Sequence, residues 1–217
     1  MTSQETAILH LRDQIAHGKL RPNDHIRQEL LAAELGLSVV PVREALKILE
    51  GEGQVVYRPH YGYHVARLNL KELAEAYRIR ELLENEAIAL AVPKLDEEDF
   101  QELYGAIRDC NLFSQINDIV ALTAANRRFH FTLFDAADMP RLTNFIRMLW
   151  QATEPYRSMN YADQENRDRI NDEHDAIMQA IRNGDVQMTI RLLSEHRANS
   201  IASLRRTLTQ LPAPTSG

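Results

Sequence analysis

The stretch LLAAELGLSVVPVREALKILEGEG, residues 30–53, holds two short apolar-periodic segments parted by Gly36 and Ser38. In the second, Val42, Ala45, Leu46 and Leu49 recur at i, i+3, i+4 and i+7, the spacing that gathers one face of a helix. The first, from Arg27, reads as a short helix with Leu30, Leu31 and Leu35 inward, closed by Gly36. Two short helices joined by so tight a turn describe a helix-turn-helix. Ser38 is the expected N-cap of the second helix, and Pro41 falls in its first turn, where a missing N–H breaks no intrahelical bond. With the inward face assigned, Val39, Arg43 and Lys47 are left pointing outward.

Upstream, QETAILHLRDQIAHG carries an apolar stripe at Ile8, Leu11 and Ile15 that ends at Gly18. RPND follows as a turn, with Pro22 pre-setting φ and Asn23 tolerating φ > 0. Downstream, QVVY and YHV flank RPHYG, two strands with Gly62 in their loop, which would make a wing. An arginine near the start of the second helix can reach guanine O6 and N7, whereas a lysine further along meets a phosphate. The candidate DNA contacts are Ser38, Val39, Val40, Arg43 and Lys47 on that helix, Arg27 before the first, and His60, Tyr61 and Gly62 in the wing.

From Asn69 onward the pattern changes to long amphipathic helices, near 70–92, 97–114, 116–137, 141–158, 164–183 and 185–208. Six helices with short connections point to an antiparallel bundle. The fold expected is mainly α: a winged helix-turn-helix over residues 1–67, an all-helical domain over 68–210 and a disordered tail over 211–217. The net charge of −6 gives no overall reason to bind nucleic acid. Residues 1–66 hold seven Lys/Arg against eight Asp/Glu, so most of the acidity lies in the bundle and the near-neutral N-terminal module is left to bind through a local basic face. Cys110, the single cysteine, excludes an intrachain disulfide and reads as a small buried hydrophobe. With no signal-peptide pattern and no apolar run long enough to span a membrane, the expected location is the cytoplasm.

The bundle contains three histidines, His130, His174 and His196. His174 precedes Gly184 by ten residues and His196 follows it by twelve, so an antiparallel hairpin about RNGD brings them to one level. Asn126 and His130 stand four apart on one helix face. Three imidazoles and an amide oxygen could close on one divalent metal, and ligation this rich in nitrogen favours zinc or nickel. Arg80 and Glu84, also i, i+4, read on their own as a surface ion pair.

IAHGKLRPNDHIRQELLAAELGLSVVPVREALKILEGEGQVVYRPHYGYHV resembles the winged helix-turn-helix of GntR-family transcriptional regulators, most specifically in PVREAL followed by LEGEG and in the wing glycine. Four positions depart from the family's pattern. Val39 and Val40 stand where an arginine and a threonine are usual, Asn23 where a glycine is usual, and Tyr61 where an arginine is common. The bundle resembles the FCD ligand-binding domain of the FadR subfamily, and its six helices are more like the VanR-type branch. That resemblance implies a metal site built from an Asp-x-x-x-His helix and two later histidines. His130, His174 and His196 match it, and Asn126 replaces the aspartate, which makes the site more positive by one unit. It also implies that Arg80 faces an effector pocket.

The function expected is a DNA-binding regulator whose hold on a palindromic operator responds to a small organic or sugar acid bound at the metal. Two near-neutral modules linked in a homodimer would gain effective concentration on such a site. The alternatives are a metal-dependent enzyme acting on a small organic acid, and a DNA-binding protein whose helical domain only dimerises. Against the enzyme, the sequence has no H-E-x-x-H and no nucleophile motif.

Overall fold

The computed structural model describes residues 1–16, 19–67, 70–161 and 163–210. The expected helix stop at Gly18, the start of the helical region at Asn69 and the tail 211–217 lie outside the described residues. Packing divides the chain into two units, residues 1–69 with 147–155, and residues 70–146 with 156–217.

The first unit contains α1 (Ser3–Ala16), β1 (His25–Ile26), α2 (Gln28–Leu35), α3 (Val39–Gly51), β2 (Val55–Arg58) and β3 (Gly62–Val65). The strands form an antiparallel sheet in the order β1-β3-β2. Val55 pairs with Val65 and Arg58 with Gly62, so the wing is the hairpin expected. The strand β1, which pairs His25 with His64, was not expected; two residues carry no alternation to read. The core joins Ala7, Leu11 and Ile15 of α1 to Leu31 and Ala32 of α2, to the sheet, and to Val42, Ala45, Leu46 and Leu49 of α3.

Three local expectations are corrected. Leu30 is 60% exposed, because at about 100° per residue it lies ~140° from Leu35 and cannot share the face that Leu31 presents to α3. Val39 is partly buried and packs against the core, and Val40, 65% exposed, is the valine that faces out. Ser38 sits at the N-cap of α3 with extended backbone, yet its side chain makes no capping hydrogen bond. The third helical position, whose N–H an N-cap oxygen commonly accepts, is Pro41, which has none. The RPND turn does form: Asn23 has φ 78°, and its Oδ1 accepts from Arg58 Nη2 at 2.7 Å.

Beyond residue 69 come α4 (Leu70–Ala91), α5 (Glu97–Gln115), α6 (Ile119–Asp135), α7 (Pro140–Arg157), α8 (Gln164–Arg182) and α9 (Val186–Gln210). Their ends are set by side chains. Asp96 and Asp99 form a reciprocal capping box at α5, Asp118 accepts from Ala121 N at α6, and Asp185 Oδ1 accepts from Met188 N in the first turn of α9. Helix α5 packs along α6 and α8, and α4 along α6 and α9, while α8 and α9 make a hairpin. This network brings α6, α8 and α9 to a common interior. Cys110 is buried beside Leu122, Ala125, Tyr161 and Ile170, and burial pushes its thiol up to about 12. No described helix is long and apolar enough to cross a membrane.

Candidate functional site

Helix α6 is apolar along most of its inner side, with Leu122, Ala125, Phe129, Leu133 and Phe134 buried. Into that side it also puts Asn126 and His130, 4% and 3% exposed. The turn at Gly184, with φ 66°, folds α9 back on α8 and sets His174 and His196 with ring centroids 5.1 Å apart. His130 lies 5.4 Å from each. One ring nitrogen from each of the three lies within 4.8 Å of the others.

Burial pushes the His130 and His174 imidazoles well below their ordinary pKa, and the other histidines deepen the effect. Both rings are therefore neutral near pH 7 and offer lone pairs. Neither ring nitrogen of His174 has a hydrogen-bond partner among the described residues, and neither does Asn126 Oδ1. Each such orphan typically costs ~1–3 kcal/mol, which a bound ion would offset. A donor set of three imidazole nitrogens and one amide oxygen suits zinc or nickel better than magnesium or calcium. Tetrahedral zinc needs its nitrogens ~3.3 Å apart, so sharing one ion draws atoms now within 4.8 Å together by at most ~1.5 Å.

Arg80 and Glu84 are not a surface pair. Their side chains are 4% and 2% exposed, with Arg80 Nε donating to Glu84 Oε1 at 2.8 Å. From α9, Arg197 Nη1 donates to Glu84 Oε2 at 2.7 Å, and its Nη2 to Asn85 Oδ1 at 2.6 Å. Two buried cations thus share one buried carboxylate, and both depress the pKa of His130. Sequence reasoning missed Arg197. It also missed Glu173, whose Oε2 accepts from His196 Nδ1 at 2.6 Å and whose Oε1 accepts from Asn199 Nδ2 at 2.7 Å and Arg169 Nη1 at 2.5 Å. Burial pushes the Glu173 carboxyl up, but these three bonds outweigh it and hold the pKa low. Adjacency to His174 and His196 was the only signal for Glu173 and Arg197, since most of their partners lie on other helices.

In the first unit, Val40, Arg43 and Lys47 are exposed along α3, with Ser38 at its start and Arg27 at the start of α2. Arg43 Nε donates to Gln28 Oε1 at 3.4 Å, an aligning partner the sequence did not reveal. Lys47 Nζ meets Glu44 Oε1 at 3.1 Å, an exposed pair easily surrendered to a phosphate. The wing tip presents His60 (φ 68°) and Tyr61, 73% exposed. At Gly62, with φ 79°, an added Cβ would come within 3.1 Å of His25 Nε2.

Comparison with known proteins accounts for both units. The gntR family model of bacterial regulatory proteins matches residues 3–65, and the FCD domain model matches residues 75–199. The HTH-type transcriptional regulator McbR of Escherichia coli is 30% identical over 199 residues, 89% of either chain. The solved structure of E. coli McbR/YncC superposes with a TM-score of 0.87 at 26% identity, over 96% of this chain and 99% of that one. The gluconate operon transcriptional repressor of Bacillus subtilis is 29% identical over 196 residues, 86% of this chain and 78% of its own. These relatives are regulators, not enzymes. With a winged helix-turn-helix at one end and the effector-binding domain at the other, the chain belongs to the GntR family of DNA-binding transcriptional regulators, in the FadR-like group that carries an FCD domain.

Proposed function

We propose that this regulator senses a small carboxylate, an organic or sugar acid, through a divalent metal held by Asn126, His130, His174 and His196. One observation carries the reading: three buried imidazoles from three helices, two of them held neutral by burial, bring their ligand nitrogens within 4.8 Å of one another. When bound, the ion supplies a Lewis-acidic positive centre to which a carboxylate oxygen can attach. The chain's own part is to exclude water and to hold the buried guanidinium groups of Arg80 and Arg197, both bonded to Glu84 and both felt by His130, where they favour an anion. The relative named for the gluconate operon supports an acid as effector. Operator affinity then changes by as much as the acid favours one arrangement of the protein over another.

On DNA, Arg43 reads a guanine, Lys47 meets a phosphate and Val40, with Val39 behind it, offers apolar contact to a thymine methyl. Arg27, Ser38, His60, Tyr61 and Gly62 follow the backbone and the adjacent groove. Residues 1–67 form the DNA-binding domain, residues 68–210 bind effector and dimerise, and a homodimer on a palindromic operator makes up for the weak charge of one module. The test is zinc titration of chelator-stripped protein followed by thermal shift with small carboxylic acids. We expect one zinc per chain, none in His174→Ala, and acids that raise the melting temperature only of zinc-loaded protein. Acids acting equally on stripped and loaded protein would overturn it.

A further inference from the structure

Asn126, His130, His174 and His196 carry no negative charge, so none of the protein's own ligands would balance the charge of an ion held among them. The structure assigns that task to Glu173, which we propose acts on the metal through the His196 ring as a positioning and charge-compensating residue. The inference rests on the metal reading above. Glu173 Oε2 lies 2.6 Å from His196 Nδ1. A carboxylate can only accept, so this contact puts the proton on Nδ1 and leaves Nε2 as the nitrogen with a lone pair to give. Oε1 is tied to Asn199 Nδ2 and Arg169 Nη1, so both carboxylate oxygens are engaged and the group is held in place against the ring. The ring thereby becomes a more basic ligand, the effect that outer-shell carboxylates exert on metal-bound imidazoles. Among the described residues His174 has no such partner on either nitrogen, and the Glu173 carboxylate bonds one ligand of the set, His196.

The experiment measures zinc affinity of full-length, chelator-stripped protein by competition with a chromophoric chelator, and records the visible spectrum of the cobalt(II) form. Glu173→Gln keeps an oxygen that accepts from Nδ1 but removes the charge. It should weaken zinc by about 10- to 100-fold and shift the cobalt bands. Glu173→Asp should recover most of the affinity, and adding Asn126→Asp to Glu173→Gln should restore it by returning a negative charge to the site. Far-UV circular dichroism confirms that each variant is folded. Affinity of Glu173→Gln within threefold of wild type overturns the assignment, and so does a double variant no tighter than the single one. Wild-type protein that takes up no zinc overturns the metal reading itself.

Discussion

Glu84→Gln tests how much of the helical unit's stability depends on one buried carboxylate. Glu84 receives 2.8 and 2.7 Å bonds from Arg80 and Arg197, and none of the three side chains is more than 6% exposed. The glutamine is nearly isosteric but neutral, and its single oxygen can serve one guanidinium while the NH2 faces the other. Two buried cations then lose the anion they share. Breaking such a pair typically costs ~3–5 kcal/mol, far above the 0–1 kcal/mol of a surface pair, because desolvated charge is left uncompensated. At ~2–4 °C per kcal/mol for a chain of this size, the melting temperature should fall by roughly 6–20 °C. Thermal unfolding followed by far-UV circular dichroism measures it. Arg78→Ala is the control: the Arg78–Glu81 pair is 67% and 34% exposed and should cost no more than ~1 kcal/mol. If Glu84→Gln and Arg78→Ala lose the same stability, the triad is not the buried electrostatic unit described.

Arg43→Ala should weaken operator binding by ~1–3 kcal/mol and relax one base pair per half-site, whereas Lys47→Ala should weaken all sequences alike and lower the salt slope by about one. Fluorescence anisotropy at several salt concentrations separates them, and equal loss on every sequence for Arg43→Ala would refute the assignment. Metal-free protein should lose stability as pH falls below ~6.5, because the unfolded chain then takes up protons at His130 and His174 that the folded chain, with both pKa values depressed, does not. Two protons correspond to a slope of at most ~2.7 kcal/mol per pH unit, and a flat urea-midpoint profile between pH 6.5 and 5 would show that the rings are not buried neutral. Gly62→Ala, strained at φ 79° and crowded by His25, should destabilise the wing by ~1–2 kcal/mol and weaken operator binding, with metal uptake unchanged.

Much of this architecture was legible because it follows from period and spacing. The four inward residues of α3 and the meeting of His174 with His196 across Gly184 needed only 3.6 residues per turn and 1.5 Å of rise. What escaped depends on contacts between elements. The strand β1 exists only because β3 lies beside it. Arg80 and Glu84 have the spacing of a solvated helix pair, and only the arrival of Arg197 from α9 makes them a buried triad. Glu173 looks like any helix glutamate until the hairpin places His196 against it. Ser38 failed as a cap for a local reason that could have been read, since Pro41 three residues on has no N–H to offer.

The central claim is that operator binding answers to a small acid through the histidine-held metal. It is tested most directly by anisotropy on a duplex selected from random sequences, using zinc-loaded wild type, stripped wild type and zinc-treated His174→Ala. A panel of hydroxy and sugar acids should include at least one that shifts the operator Kd of the zinc-loaded protein at least fivefold and leaves the other two unmoved, although all three bind the duplex. An acid that shifts all three alike, or a panel that shifts none, would contradict it.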